Sequence, residues 1–387
     1  MPDLETVRAF LDDRHRELAR RAGEFAAAEI APLSEPADDE ACRAQARNVL
    51  RVLGAPGLFK PIEEQDLRAC CLIRETLAAA SPLADAVFAL QALGVTPMLL
   101  SGNREQRARW VTSAIDGTAM AAFAMTESEA GSDVASMRTH ASRDGSDYVL
   151  DGMKTLISNA GIADFYTVFA STDPDAGRKG ISCFVVPADA PGLRFVGPQV
   201  LSAPHPLGEL AFEDCRVPES SRLGDEGEGF KLGMATLDRL RATVAAAACG
   251  MAGRALEEAT RHAIERRQFG SALADFQLIQ EKLARMATDL AAARLLTYRA
   301  AWKKDGGAER VTVEAAMAKA FATEAAQRII DDAVQILGGR GVLAEHPVDR
   351  LYRSVRALRI YEGTTEIQHL IIAGHMLKDR REASGAT

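Results

Sequence analysis

The change from a helical to a β pattern is marked by one stretch, Thr139-His140-Ala141-Ser142-Arg143-Asp144-Gly145-Ser146-Asp147-Tyr148-Val149-Leu150. Polar and apolar residues alternate on both sides of Asp144-Gly145, a dipeptide that favours the tight turn of a β-hairpin. A second pair, Asp151-Gly152, precedes the strand-like run at residues 154–157. The stretch therefore predicts antiparallel strands.

Further short apolar runs follow this hairpin, at residues 165–170, 181–186, 193–196 and 210–212. Gly, Pro and Asp separate them without an intervening helical pattern, which is typical of an antiparallel β-domain. Before residue 119 the period is helical, with Val7, Phe10, Leu11 and Leu18 on one face and further helices predicted at 85–100 and 104–115.

The helical period returns at Phe230, and long helices are predicted at residues 230–267, 275–305, 312–337 and 347–360, with a shorter one from Thr365. Helices of this length with short connections pack as an antiparallel bundle. The sequence thus predicts an α+β fold of three domains. These are an N-terminal helical domain (residues 1–119), a middle antiparallel β-domain (120–226) and a C-terminal four-helix bundle (227–387).

The composition is that of a soluble globular protein, with 47% hydrophobic and 26% charged residues. The net charge of −8 includes no long block of either sign, which does not indicate a nucleic-acid-binding protein. The six cysteines lack CxxC spacing, so reduced thiols in a cytoplasmic protein are expected and no metal site is predicted. The acidic start does not resemble a secretory signal. The longest uncharged helical stretch, taken as residues 242–253, is too short for a membrane span.

The first segment with chemical potential is Met125-Thr126-Glu127-Ser128-Glu129-Ala130-Gly131-Ser132-Asp133, which follows a predicted strand. Its backbone N–H groups and the hydroxyls of Thr126 and Ser132 suit a polar, anionic ligand. A solvated loop between strands explains the same residues equally well.

The second segment is Arg359-Ile360-Tyr361-Glu362-Gly363-Thr364-Thr365-Glu366-Ile367-Gln368. Thr365 and Gln368 fit a capping box that opens the last helix. Glu362 then lies in the preceding loop beside Gly363, where backbone can approach a ligand closely, and it is a candidate general base. Taken alone, such a glutamate is more often an exposed loop acid.

The third segment, Gln335-Ile336-Leu337-Gly338-Gly339-Arg340-Gly341, ends a long helix. Glycines at this place usually cap the helix, and they also suit the close approach of a phosphate or nucleotide. The segment is not a dinucleotide fingerprint, because no strand precedes it.

These three segments, together with Arg266-Arg267-Gln268-Phe269-Gly270, closely resemble the acyl-CoA dehydrogenase family and occur in the family's order. The resemblance implies an FAD-dependent enzyme that desaturates the α,β-bond of an acyl-CoA thioester. In the family the base usually comes from the Tyr-Glu-Gly-Thr loop, here Glu362. In some subfamilies it comes from the first bundle helix, where Leu240 stands here and cannot accept a proton. Glu362 is therefore expected to remove the α-proton, while flavin N5 accepts the β-hydride.

The resemblance also implies the remaining site residues. Those expected to bind FAD are Met125, Thr126, Gly131, Ser132, Ser158, Arg266, Phe269, Gln277, Gln335, Gly339, Thr364 and Glu366. Those expected to bind substrate are Ser132, Asp238, Arg241, Tyr361 and Gly363. In the family the Arg266/Phe269 motif binds the cofactor of a neighbouring subunit. The resemblance therefore implies a homo-oligomer, which is expected to be a homotetramer. The implied electron acceptor is an electron-transfer flavoprotein or a similar protein.

Departures from the family pattern leave the substrate and the acceptor open. Leu156-Ile157-Ser158 stands where the family often has Trp-Ile-Thr or Trp-Ile-Ser, and Glu366 stands where a glutamine is frequent. Ser128-Glu129 replaces a common Pro-Gly. Residues 202–208 replace a family loop and contain His205, which is either a site residue or a surface-loop histidine.

Three other functions remain open at this stage. One is an acyl-CoA oxidase that uses oxygen, and another is a dehydrogenase of an acyl group held on a carrier protein. A third is an inactive scaffold with the flavoprotein fold, against which the complete motif around Glu362 argues. The acyl group is not fixed, although Val95, Met98, Leu99, Leu240 and Tyr361 are candidate walls of an apolar pocket.

Overall fold

A computed structural model describes residues 3–384 of the chain. Its α-helices are α1 Asp13–Phe25, α2 Asp39–Gly54, α3 Lys60–Glu63, α4 Leu67–Ala80, α5 Pro82–Ser101, α6 Arg104–Gln106, α7 Thr112–Ile115, α8 Gly229–Glu265, α9 Gln277–Asp305, α10 Thr312–Leu337, α11 Pro347–Leu358 and α12 Thr365–Ser384. Its strands are β1 Ala121–Ala124, β2 His140–Asp144, β3 Asp147–Ser158, β4 Phe165–Ser171, β5 Ile181–Pro187, β6 Leu193–Pro198, β7 Leu207–Pro218, β8 Arg222–Leu223, β9 Arg267–Gln268 and β10 Ser271–Ala272. The predicted order of helices, β-strands and helices is confirmed.

The large sheet has the strand order β6-β7-β3-β2-β4-β5-β8, and β1 pairs with β4. The hairpin predicted at Asp144-Gly145 joins β2 to β3, with Ala141 opposite Leu150 and Gly145 at φ +63°. The sheet is not wholly antiparallel as predicted, because β1 and β2 each pair with β4 in parallel. Neither is joined to β4 by a tight turn, and longer connections allow parallel pairing.

Contacts divide the chain into two compact units. The helical unit contains the chain up to Leu33, Asp66–Asp85 and the chain from Asp238 onward. The sheet unit contains Ser34–Gln65 and Ala86–Leu237. The N-terminal helices are therefore distributed over both units, and the division of the sequence at residues 119 and 226 stays a prediction.

Small residues allow the helices of the helical unit to pack closely. The core includes Ala242 and Val244–Ala248 of α8 together with alanines of α9 and α10. A Cβ atom on Gly250 of α8 would lie 2.0 Å from the Glu75 carbonyl oxygen of α4, so no larger residue fits at this crossing. This packing brings α4, α8 and α10 together around the loop before α12.

Helix α5 is long and apolar enough to cross a membrane by composition alone, but 89% of its apolar window is buried inside the protein. Its composition is therefore explained by its place in the core. Residues 86–103 form a longer uncharged run than residues 242–253, so the expectation for the latter was wrong.

The six cysteines are buried free thiols, as expected. Within residues 3–384 no group of three or more His, Cys, Asp or Glu side chains is arranged to hold a metal ion.

Candidate active site

The loop between α11 and α12 places Glu362 in a left-handed backbone conformation, with φ +54°, followed by Gly363 at φ +91°. A non-glycine residue in this region is strained and needs surrounding structure to hold it. A Cβ atom on Gly363 would lie 2.6 Å from Gln368 Nε2, so the position requires glycine. Such strain in a loop with a candidate base is typical of an active site.

Side chains from three helices hold this loop through its carbonyl oxygens. Arg241 Nε of α8 donates to the Glu362 carbonyl at 3.1 Å, and Lys319 Nζ of α10 donates to the Gly363 carbonyl at 2.7 Å. Gln368 Nε2 of α12 donates to the same two oxygens, at 3.2 and 2.9 Å. The strained turn is therefore fixed from several directions.

Glu362 is half-buried, and one oxygen of its carboxylate is buried but not paired. Its Oε2 atom is shielded from solvent and has no hydrogen-bond partner among residues 3–384. Burial raises the pKa of Glu362, and the positive charges of Arg74, Arg241 and Lys319 oppose that rise. A buried oxygen left without a partner is available to a proton of a ligand.

The predicted capping box of α12 is wrong. Gln368 uses its side chain to hold the Glu362 and Gly363 carbonyls, and Thr365 Oγ1 donates to Glu324 Oε1 at 2.8 Å. Thr364 takes the capping place instead, and its Oγ1 accepts from the N–H of Ile367 at 3.4 Å. Contacts with α10 and the base loop thus override the local pattern.

Two residues predicted to bind substrate lie inside the helical unit. Arg241 is buried and pairs with Asp238, while Asp238 Oδ2 accepts from Thr312 Oγ1 at 2.7 Å. Both side chains therefore support the base loop, and their predicted contact with the substrate stays a prediction. About a third of Tyr361 is exposed, while burial raises the pKa of its hydroxyl and the charge of Arg74 opposes that rise.

The motif residues 125–132 lie at the end of β1 in the sheet unit. Met125 is buried and Thr126 is half-buried, whereas Gly131 and Ser132 are exposed. A buried pair that the sequence analysis did not identify fixes this loop, since Lys154 Nζ donates to Glu127 Oε1 at 2.7 Å and to the Met125 carbonyl at 3.1 Å. Burial lowers the pKa of Lys154 to about 8, although the charge of Glu127 opposes the shift. The presence of Lys154 within an apolar strand pattern could have indicated a buried ion pair.

Ser158 and His205 are hydrogen-bonded, with Ser158 Oγ and His205 Nε2 2.7 Å apart. Burial lowers the pKa of His205 to about 4, so its imidazole is neutral at neutral pH. His205 is therefore held against Ser158, and its role in the site stays a prediction. Nearby in the strand, Leu156 is exposed with φ +55°, and its N–H donates to Gln199 Oε1 at 2.8 Å.

The residues predicted to serve a neighbouring subunit are exposed in the helical unit. Phe269, at the β9–β10 turn, is 96% exposed, and its ring makes an edge contact with Phe276. Exposed side chains or backbone are also found at Arg266, Gln277, Gln335 and Gly339. Gly338 ends α10 at φ +59°, which confirms the predicted helix cap.

The exposed groups fit FAD in chemical character. In the sheet unit, the hydroxyls of Ser132 and Ser158 and the exposed side chain of Leu156 offer the polar and apolar contacts of an isoalloxazine ring. In the helical unit, a Cβ atom added to Gly338 or Gly339 would meet nothing within 4 Å, so the backbone there is open to a ligand. Thr364 is half-buried and Glu366 is exposed, and both follow Glu362 closely in the chain.

Comparison with known proteins places these features in a family. The models of the N-terminal, middle and C-terminal domains of acyl-CoA dehydrogenases match residues 12–118, 122–215 and 227–377. The chain is 39% identical over 379 residues to a 3-(aryl)acrylate reductase of Clostridium sporogenes, covering 95% of this chain and all of that protein. It is 39% identical over 385 residues to the mitochondrial short-chain specific acyl-CoA dehydrogenase of Homo sapiens, covering 96% of this chain and 92% of that protein.

Solved structures show the same similarity. Butyryl-CoA dehydrogenase from Megasphaera elsdenii matches with a TM-score of 0.88 and 34% identity, covering 95% of this chain and 99% of that chain. The prolyl acyl carrier protein oxidase AnaB matches with a TM-score of 0.87 and 28% identity, covering 95% and 99% of the two chains. The chain therefore belongs to the acyl-CoA dehydrogenase family of FAD-dependent oxidoreductases.

Proposed function

We propose that this protein catalyses the α,β-dehydrogenation of an acyl-CoA thioester and that Glu362 is the base that removes the α-proton. The observation that carries the proposal is the buried, unpaired Oε2 atom of Glu362 on a loop that three helices hold. A general base needs a free lone pair and a pKa near the working pH. Burial moves the pKa of Glu362 in that direction.

The chain's own groups account for the proton-transfer half of the reaction. The Glu362 carboxylate takes the α-proton as negative charge develops on the thioester oxygen, and a hydrogen-bond donor must stabilise that oxygen. The N–H of Glu362 donates to no other residue in the described part of the chain, so it is a candidate for this role. Lys319, Arg241 and Gln368 keep the N–H and the carboxylate in a fixed relation by holding the loop.

FAD, when bound, supplies the acceptor for the β-hydride. The residues that would hold it are those carried over from the family, namely Met125, Thr126, Gly131, Ser132, Ser158, Arg266, Phe269, Gln277, Gln335, Gly339, Thr364 and Glu366. Asp238, Arg241, Tyr361, Gly363 and Ser132 are proposed to serve the substrate.

We also propose that the protein is a homotetramer in the cytoplasm and that it passes electrons to an electron-transfer flavoprotein. The family motif at Arg266 and Phe269, in which Phe269 is 96% exposed, supports a contact with another subunit. Light scattering of the FAD-loaded protein tests the oligomer, and an active monomer with FAD bound would contradict it.

Two alternative reactions are each supported by similarity to a specific protein. Similarity to a prolyl acyl carrier protein oxidase favours a carrier-bound acyl group, with oxygen as the acceptor, as a second candidate. Similarity to a 3-(aryl)acrylate reductase favours the reverse reaction, in which protonated Glu362 would deliver the α-proton to an unsaturated acyl group. A reduced flavin, supplied with electrons by an external donor protein, would supply the β-hydride.

Anaerobic mixing of the yellow protein with substrates separates these functions. A panel of straight, branched, cyclic and aryl acyl groups is offered as CoA thioesters and on a carrier protein, and bleaching of the flavin is recorded. We expect bleaching by at least one acyl-CoA. Bleaching by carrier-bound acyl groups alone, or by none of the saturated thioesters, would contradict the proposal.

A further inference from the structure

A fully buried arginine lies beside the proposed base but is bound elsewhere. Arg74 of α4 is 1% exposed, and its guanidinium forms a bidentate pair with Asp85, with Nε–Oδ1 and Nη2–Oδ2 distances of 2.7 and 2.8 Å. Its Nη1 donates to Thr243 Oγ1 of α8 at 2.9 Å. The guanidinium is therefore fixed on three of its nitrogen atoms.

We propose that Arg74 is a positioning residue that supplies a fixed positive charge beside Glu362, while Asp85 and Thr243 prevent it from forming an ion pair with that carboxylate. The inference rests on the proposed role of Glu362 as the base. The Arg74–Asp85 pair explains how the carboxylate of Glu362 stays both ionisable and free of an ion pair.

The geometry supports a role beyond fold stability. Breaking a buried ion pair is costly, but replacing both partners with apolar residues of similar volume is often neutral or stabilising. Filling a core position does not in general require an ion pair such as Arg74–Asp85. The charge of Arg74 also acts on the hydroxyl of Tyr361, the residue directly before the base, where it opposes the rise in pKa that burial causes.

If Arg74 were free to rotate, it would prevent Glu362 from acting as a base. Arginine and carboxylate form strong bidentate pairs, and such a pair would stabilise the anion of Glu362 and occupy its lone pairs. Glu362 instead forms no ion pair with any residue of the described chain, and its Oε2 atom is unpaired. Asp85 occupies two nitrogen atoms of the Arg74 guanidinium. The positive charge of Arg74 therefore acts on Glu362 only through space.

Charged and titratable groups face Glu362 from each element around it. They are Arg74 of α4, Asp85 of α5, Arg241 of α8, Lys319 of α10 and Tyr361 of its own loop. Asp238 pairs with Arg241 and weakens its effect. Arg74 is the positive group that most strongly opposes the rise of the pKa of Glu362 that burial causes.

Two variants move the pKa of Glu362 in opposite directions. In Asp85→Asn, Arg74 is released to pair with Glu362, and we expect the pKa of Glu362 to fall by about one unit or more. In the double variant Arg74→Gln/Asp85→Asn both charges are removed. Because the charge of Arg74 acts on Glu362 more strongly than that of Asp85, we expect that pKa to rise, although by less than the loss of Arg74 alone would raise it. A role in folding alone predicts no such opposite shifts.

The measurement is a pH titration of the FAD-loaded protein by infrared difference spectroscopy, which needs no substrate. The carbonyl band of protonated Glu362 is identified by its loss in Glu362→Gln. Asp305→Asn is the matched control, because it breaks another buried Arg–Asp pair of α4, between Arg68 and Asp305 at 2.9 Å. Arg68 donates to the Phe10 carbonyl and not to the base loop, so the Glu362 band should titrate as in the wild type.

Unchanged titration in both variants, or shifts of the same sign, would overturn the inference. If Asp85→Asn fails to fold, the uncharged double variant decides the matter alone, since it leaves no unpaired charge. Failure of the proposed function is distinguishable, because Glu362 would then titrate as described while Glu362→Gln reduced its flavin at the wild-type rate.

Discussion

The ammonium group of Lys319 donates a 2.7 Å hydrogen bond to the carbonyl oxygen of Gly363, one residue after the proposed base. Lys319 is fully buried in the middle of α10. Burial lowers the pKa of Lys319 to about 8, although the charge of Glu362 opposes the shift. One buried cation therefore both holds the loop and acts on the carboxylate.

Replacing this cation should affect the rate and the pH dependence of stability. In Lys319→Met the loop loses a charged donor, and we expect kcat to fall by about tenfold or more with little change in FAD content.

The effect of Lys319 on stability has a definite sign. Its pKa is about 8 in the folded protein against 10.5 for an unperturbed lysine, so between these values the unfolded chain binds more protons. The wild type should therefore gain stability relative to Lys319→Met as the pH rises from about 8 to 10.5. Denaturant unfolding across that range measures the free energy of unfolding of the wild type minus that of Lys319→Met. We expect this difference to increase with pH, and a difference that falls or stays constant would contradict the assignment.

The strained turn predicts a strong effect of Gly363→Ala. The added methyl group would lie 2.6 Å from Gln368 Nε2 at a backbone φ of +91°, so the loop must move. We expect a loss of about 10²-fold in kcat, because small displacements of a catalytic group have effects of this size. Gly374→Ala on α12 is the control, because its Cβ meets nothing within 4 Å, and it should retain activity. Similar activities of the two variants would argue against a strained base loop.

The buried pair of Lys154 and Glu127 should control both stability and FAD affinity. Glu127 also accepts from the backbone N–H groups of Arg138 and Thr139, at 2.6 and 3.0 Å. In Glu127→Gln, Lys154 loses its ionised partner, so its pKa should fall further below 8 and the amine should be neutral at neutral pH, which weakens its hold on this loop. We expect a lower melting temperature and weaker FAD binding, measured by thermal unfolding and FAD titration. Wild-type FAD affinity would show that the loop does not depend on this pair.

Ser158 and His205 should behave as one unit toward the flavin. The pKa of His205 is about 4, so their hydrogen bond should not change between pH 5.5 and 9. We expect Ser158→Ala and His205→Ala to shift the flavin absorbance or reduction potential in the same direction. The double variant should add little to either, because both remove one hydrogen bond. Additive shifts would mean that the two residues act separately.

Local sequence patterns predicted most of the fold. The β2–β3 turn at Asp144-Gly145, the cap at Gly338 and the loop containing Glu362 all depend on residues close together in the chain, and the structure contains each of them. Parallel pairing of β1 and β2 with β4 was missed, because it depends on long connections that leave no local signal.

The groups that control the candidate site were harder to predict. Arg74 meets Thr243 of α8, and Lys319 meets Gly363, across long stretches of sequence. No periodicity or spacing links such residues before the helices pack. Gln368 shows that a local pattern can also mislead. The sequence predicts a role in a helix cap, but the side chain contacts the base loop instead.

The central claim is that Glu362 removes the α-proton. In Glu362→Gln the side chain keeps its size and the loop keeps its backbone N–H, so FAD and the acyl-thioester should still bind. The amide cannot accept a proton at neutral pH, and general-base catalysis is typically worth ~10²–10⁴-fold. Rapid anaerobic mixing of this variant with an acyl-CoA that bleaches the wild type should shift the flavin spectrum without bleaching it. Bleaching within a few-fold of the wild-type rate would contradict the account and place the base elsewhere.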